Sequence, residues 1–123
     1  VNEEARATKI WSDTVFSVCS HYHHFVGPAM IASASVAIKQ GDLEYAKKAY
    51  SAVITDFLGV LESVEKEQEY PNKDDEISLD SLRLAVQGKL SGPDSDEEIS
   101  TLTSLEQRVK LIFDRPIEGN ESN

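Results

Sequence analysis

The chain has 123 residues, of which 40% are hydrophobic, and a formal net charge of −10 at pH 7. This length is enough for one domain with a buried core. The acidic excess and the absence of clustered Lys and Arg argue against direct binding to a nucleic-acid backbone. The most apolar stretch, residues 26–38, is shorter than the roughly 18 residues of a membrane-spanning helix. We therefore expect no direct nucleic-acid binding and no membrane contact.

The cysteine content and the N-terminal residues bear on the compartment. The single cysteine, Cys19, excludes an intrachain disulfide. Glu3 and Glu4 are acidic, and no apolar signal core follows them. Both features favour a reducing compartment, so we expect a cytoplasmic protein.

The first predicted helix extends from Glu3 to about Val26, and a second helix begins at Pro28. Apolar residues recur at helical spacing along the first helix and form one stripe: Ala7, Trp11, Val15, Val18, Tyr22 and Phe25. At about 100° per residue, Phe16 and His23 fall on the opposite side. An aromatic residue facing away from the main stripe predicts a second contact surface. We expect Phe16 and His23 to mediate self-association or to contact another helix of the same chain.

Residues 28–70 are predicted to form an αα-hairpin around which the rest of the chain packs. The helix over 28–40 is rich in Ala and Ser, and the helix over 43–69 carries a continuous apolar stripe. Gly41 suits the left-handed position after a helix, and Asp42 suits the N-cap of the next one. Because small side chains let backbones approach closely, we expect the first helix of the hairpin at the centre of the bundle.

The chain after the hairpin contains signals for one short helix. Pro71 is predicted to end the long helix at the preceding residue or earlier. Asn72 to Glu76 then reads as an acidic loop. Ser78 or Asp80 suits the N-cap of a short helix that extends to about Leu90.

A last helix is predicted near the carboxyl end. Residues 91–94 (Ser-Gly-Pro-Asp) are a strong helix breaker. Ser95 and Thr103 are each followed three residues later by Glu, which is the capping-box pattern. The last helix therefore begins at Ser95 with a frayed first turn, or follows a short turn nearer Thr103. Pro116 ends it.

These elements predict an all-α fold, an antiparallel helical bundle of about five helices. We expect residues 1–116 to form one domain and residues 117–123 to form a flexible tail. No β-type alternation and no internal repeat occurs.

The histidines are the one cluster with metal-binding chemistry. His21 and His24 lie at i,i+3 on one helical face, but two imidazoles alone make a poor metal site. The first three predicted helices follow an up-down-up path, which brings residues 56–62 level with these histidines, so Asp56 and Glu62 are the candidate further ligands. A metal- or small-ligand-binding bundle is therefore one alternative function.

Catalytic motifs are missing from the sequence. No glycine-rich phosphate loop, Gly-x-Ser-x-Gly or Cys-x-x-Cys occurs. Adjacent acids fall in predicted loops or helix starts, where solvation or the helix dipole explains them. We expect no catalytic residues and no cofactor.

The distribution of charge suggests protein binding. Residues 61–123 contain sixteen Asp and Glu but only seven Lys and Arg, and such a field steers a basic partner. We predict a small acidic, non-enzymatic interaction factor, such as an adaptor, an inhibitor, or an immunity- or antitoxin-like protein. The predicted partner-binding residues are Glu69, Asp74, Asp75, Glu76, Asp94, Asp96, Glu97 and Glu98. A further alternative is a structural subunit of a homo-oligomeric assembly.

Overall fold

The computed structural model describes the backbone of residues 23–117 and the side chains of residues 25–117. Within this part the fold is all-helical, with four helices and no strand: α1 (His23–Lys39), α2 (Leu43–Lys66), α3 (Lys73–Leu90) and α4 (Asp96–Phe113). The predicted helical bundle is confirmed at this level. The predicted count of about five helices is slightly too high, and most of the additional first helix lies outside the described residues. None of the four helices is both long and apolar enough to cross a membrane.

Helix α1 passes through Gly27 and Pro28 without a break, so the predicted joint between Val26 and Pro28 is wrong. Pro28 is only the sixth residue of the helix, and its missing N–H removes one hydrogen bond near the helix start. Gly27 is buried because its backbone lies against two other helices. A Cβ atom at this position would lie 2.5 Å from Ser81 Oγ and 2.8 Å from Phe57 Cε2. Close packing, and not a turn, requires this glycine.

The turn between α1 and α2 matches the prediction. Gly41 has a positive φ of 81°, which a residue with a side chain adopts only with strain. Asp42 caps α2, and its Oδ1 accepts a hydrogen bond from the backbone N–H of Tyr45 at 3.1 Å. The hairpin is therefore closed by the two residues that its sequence indicated.

The connection between α2 and α3 differs from the prediction. Helix α2 ends at Lys66, earlier than the expected Glu69, and α3 begins at Lys73, earlier than the expected caps Ser78 or Asp80. The N-cap is Asn72, whose side chain accepts a hydrogen bond from Asp75 N at 2.8 Å. The predicted acidic loop is thus mostly the first turn of α3, where negative charge complements the helix dipole.

Helix α4 is one continuous helix that starts after Ser95. The Ser95 hydroxyl accepts a hydrogen bond from Glu98 N at 3.1 Å, as a capping box requires. The reciprocal bond is shifted by one residue, because the Glu98 carboxylate accepts from Asp94 N at 2.8 Å. Thr103 lies inside the helix and caps nothing.

Helices α2 and α3 are the centre of the described bundle. They pack against each other, α1 packs on both of them, and α4 packs mainly on α3. The largest fully buried side chains of this core are Phe57, Leu61, Leu79, Leu82 and Ile112. The small-residue helix α1 is buried along Ala34 and Ala37, but Ala32 is exposed. Within the described residues, α1 therefore has one open side and is not enclosed as predicted.

Candidate functional site

A groove lies between α1 and α4, with α3 as its floor. Its volume is about 890 Å³. Residues from α1, from the 67–72 linker, from α3 and from α4 line it: Pro28, Ile31, Ala32, Tyr70, Glu76, Ile77, Asp80, Ser81, Arg83, Leu84, Gln87, Glu106, Gln107, Lys110 and Phe113. Apolar residues from three helices meet here, and charged residues accompany them. Such a mixture is typical of a binding groove.

Two aromatic residues lie at one end of this groove. The rings of Tyr70 and Phe113 are 6.4 Å apart between centroids, with their planes tilted by 54°. The Tyr70 hydroxyl donates a hydrogen bond to the Glu76 carboxylate. This hydrogen bond, aided by burial, raises the pKa of Tyr70 to about 12. Glu76, one of the predicted partner-binding residues, is therefore engaged inside the molecule.

Three other predicted partner-binding acids lie near this end of the bundle. Glu69 is in the linker, and Asp74 and Asp75 are in the first turn of α3. Their carboxylates make no hydrogen bond or ion pair with the other described side chains. Asp74 and Glu69 are exposed, and Asp75 is half-buried. These three carboxylates are therefore unengaged within residues 25–117.

The acids before and at the start of α4 divide into two kinds. Asp94 accepts a hydrogen bond from Lys47 Nζ at 2.9 Å, and this bond lowers the pKa of Asp94. Glu98 accepts from Asp94 N and pairs with Lys89 at 3.1 Å, and these interactions lower its pKa. Asp96 and Glu97 are exposed, and neither carboxylate has a partner within residues 25–117. Two of these four predicted residues thus fasten α4 to the bundle.

The structure does not bring all eight predicted acids together. Glu69 and residues 74–76 lie at one end of α3, whereas residues 94–98 follow its other end. The two groups are separated by the length of α3, 18 residues or about 27 Å. The eight predicted acids therefore form two groups at opposite ends of α3.

A second, more polar groove lies beside α2 and contains a lysine that the sequence did not single out. The groove has a volume of about 810 Å³ and includes Lys47, Ser51 and Lys89. Lys89 is only 9% exposed, and its Nζ donates to Ser51 Oγ at 3.0 Å besides pairing with Glu98. Lys89 stands in the last turn of α3, where the helix dipole favours a cation. This position in the last turn is the one local feature of the sequence that could have indicated Lys89.

The predicted metal ligands are only partly covered by the structure. His21 lies outside the described residues, as does the side chain of His24. Asp56 is half-buried and borders the second groove, whereas Glu62 is exposed. Six residues on one helix place these two about 120° apart around its axis. Among the described side chains, no group of three or more potential ligands converges, and the histidine site stays a prediction.

The predicted self-association residues also fall outside the described side chains, since Phe16 and the side chain of His23 precede Phe25. Comparison with known proteins found no matching family model, no similar curated protein and no similar solved structure.

Proposed function

We propose that this protein is a small, non-enzymatic interaction factor that binds the basic surface of another protein. Adaptors, inhibitors and immunity- or antitoxin-like factors belong to this class. The contact surface is the start of α3, with Glu69, Asp74 and Asp75 as the binding residues. The cluster of these three acids is named the α3 acidic end below.

The observation that supports this proposal is the difference between engaged and unengaged acids. Glu76, Asp94 and Glu98 have internal partners. The carboxylates of the α3 acidic end have none among the described residues, although Lys66 and Lys73 are close in sequence. Asp96 and Glu97 also have none, but they lie beside the engaged Asp94 and Glu98. Charges of this kind increase the rate of association with an oppositely charged partner.

The test is a comparison of two double variants with the same change in charge. Partners are first captured from a lysate of the source organism with the full chain as bait and identified by mass spectrometry. Asp74→Asn/Asp75→Asn removes two charges at the α3 acidic end. Glu44→Gln/Glu62→Gln removes two exposed charges elsewhere, and one of them, Glu44, also lies in the first turn of a helix.

We expect the first variant to lower the association rate constant of the captured partner by about tenfold at low salt, and the second to change it much less. The difference must shrink at high salt, because salt screens exposed charges. An equal decrease of the association rate constant in both variants would show that binding depends on net charge alone. No loss in either would reject the α3 acidic end as the contact surface.

A further inference from the structure

The guanidinium of Arg115 bonds to the main chain at the end of α2 and in the linker that follows it. Arg115 is half-buried and lies just after the end of α4. Its Nη1 donates to the carbonyl oxygens of Val64 and Glu69 at 3.0 Å each, and its Nη2 donates to the carbonyl of Glu65 at 3.4 Å. Val64 and Glu65 are in the last turn of α2, whereas Glu69 is in the linker. One side chain therefore joins the end of α4 to α2 and to the linker.

These hydrogen bonds restrict the path of the linker after α2. The backbone becomes extended at Glu67, whose N–H donates to Val64 O at 3.0 Å. Because one nitrogen of Arg115 contacts both Val64 O and Glu69 O, the linker must turn back towards the end of α2 between them. Carbonyls at a helix C-terminus favour a cation, and hydrogen bonds from a charged donor are stronger than neutral ones. Arg115 therefore stabilises this particular path.

The path of the linker decides where Glu69 lies relative to the other proposed binding residues. Asp74 and Asp75 are in the first turn of α3, so that helix determines their positions. Glu69 precedes the helix, and its carbonyl is bonded to Arg115. The bond is to the carbonyl and not to the carboxylate, so it positions Glu69 without neutralising its charge.

The following residue, Tyr70, is held in a different way. Its hydroxyl donates to the Glu76 carboxylate, and its ring packs against that of Phe113. These contacts fix the linker from Tyr70 onwards. The backbone of residues 67–69 is consequently the part whose position depends on Arg115.

We propose that Arg115 is a positioning residue for partner binding, which holds the linker so that Glu69 is presented together with Asp74 and Asp75. This inference rests on the proposed function of the α3 acidic end and adds a residue that the partner need not touch. A linker that is already held in place avoids the conformational entropy that a mobile segment loses when it binds. Arg115 therefore increases the affinity for the partner although it carries the same sign of charge as the partner's surface.

Charge and position predict opposite results for Arg115→Gln. Removal of a positive charge near the α3 acidic end strengthens the attraction of a basic partner, whereas release of the linker weakens binding. The control Lys66→Gln removes the same charge from an exposed residue in the last turn of α2. We expect Arg115→Gln to bind the captured partner about tenfold more weakly than wild type, and Lys66→Gln to bind it at least as tightly as wild type. Tighter binding by both variants would contradict the positioning role.

A double variant separates positioning of Glu69 from a general effect on folding. If Arg115 acts through Glu69, Arg115→Gln should weaken binding much less in a Glu69→Gln protein than in the wild type, because contacting residues are coupled. A general loss of stability would weaken binding equally in both backgrounds, and that result would overturn the inference.

Amide hydrogen exchange of the free full-length protein tests the linker without a partner. We expect exchange in residues 67–69 to be faster in Arg115→Gln than in wild type and Lys66→Gln, with exchange in α3 unchanged. Equal exchange in all three proteins would reject the inference. Arg115→Lys replaces Arg115→Gln if the latter loses structure, since lysine keeps the charge but lacks the planar fork. It should change exchange and affinity in the same direction.

Comparison with Asp74→Asn/Asp75→Asn distinguishes failure of this inference from failure of the proposed function. If the double variant weakens binding and Arg115→Gln does not, the positioning role is wrong and the proposed function stands. If neither weakens binding, the α3 acidic end is not the contact surface, and both are rejected. Weaker binding in both, with faster exchange in residues 67–69 of Arg115→Gln, is the result that supports the inference.

Discussion

The guanidinium of Arg108 forms two parallel hydrogen bonds with the carboxylate of Glu65, with Nε to Oε2 at 2.8 Å and Nη2 to Oε1 at 2.6 Å. This pair joins α4 to the end of α2. Arg115 adds to the same junction, since its Nη1 donates to the carbonyls of Val64 and Glu69 at 3.0 Å each. Bidentate pairs of this kind are geometrically specific, and this one fixes the position at which α4 crosses α2.

The Glu65–Arg108 pair makes the free energy of unfolding depend on pH in the acidic range. The hydrogen bond from Arg108 lowers the pKa of Glu65, so the folded state favours the ionised carboxylate. Its contribution is fully present above the pKa of the unfolded chain, and it is lost as pH falls through the lowered folded value. We expect Glu65→Gln to lower the free energy of unfolding by about 1 kcal/mol at pH 7. On acidification the variant should lose less stability than the wild type. The control Glu97→Gln removes an exposed acid without a described partner. Its free energy of unfolding, measured in urea, should change with pH as that of the wild type does.

Two glycines on helices should respond oppositely to the same substitution. Gly27→Ala places a Cβ atom 2.7 Å from Ser81 Cβ and 2.8 Å from Phe57 Cε2, and such overpacking costs about 1–3 kcal/mol. At Gly59, in α2, a Cβ atom would meet nothing within 4 Å. Gly59→Ala should therefore stabilise the protein by up to about 1 kcal/mol. Thermal unfolding of the two variants measures both effects, and a stable Gly27→Ala protein would contradict the described packing of α1 on α3.

The two lysine pairs that hold the start of α4 should differ in strength. The Lys89 side chain is 10% exposed and the Glu98 side chain 24%, and removal of a buried partner leaves a poorly solvated charge. Lys47 and Asp94 are largely in solvent. We expect Lys89→Ala to lower the free energy of unfolding more than Lys47→Ala does, measured by urea unfolding at pH 7. Equal costs would contradict the burial of Lys89.

Tyr70 should ionise late in an alkaline titration. Its hydrogen bond to Glu76 raises its pKa to about 12 from an ordinary value of 10.0. The neutral phenol is thus favoured by folding, and the associated stability is present below pH 10 and is lost as pH rises towards 12. The ultraviolet absorbance of tyrosinate measures this ionisation. In Tyr70→Phe, one tyrosine fewer should ionise at the high-pH end of the titration. Glu76→Gln should lower the pKa of Tyr70, and an unchanged titration would argue against this bond.

The sequence correctly predicted the elements that are determined by residues close together in the chain. Leu102, Leu105, Val109 and Ile112 recur at helical spacing in the sequence, and all four are buried in α4. The turn at Gly41 and Asp42 needs only the residues that form it. In both cases the backbone preference and the buried face point to the same structure.

Tertiary contacts decided the elements that were predicted wrongly. Helix α2 ends at Lys66 while Arg115, about fifty residues later, donates to carbonyls near that end. Helix α1 continues through Pro28 while Gly27 packs on two other helices. The groove and the burial of Lys89 likewise depend on how distant helices meet, and no residue spacing predicts them.

Hydrogen exchange on the captured complex tests whether the partner contacts the unengaged acids at the start of α3. We expect partner binding to slow amide exchange in residues 67–76, which contain the α3 acidic end. Residues 94–98, whose carboxylates include the internally paired Asp94 and Glu98, should exchange as in the free protein. Protection confined to residues 94–98, or absent from 67–76, would reject the α3 acidic end as the contact surface.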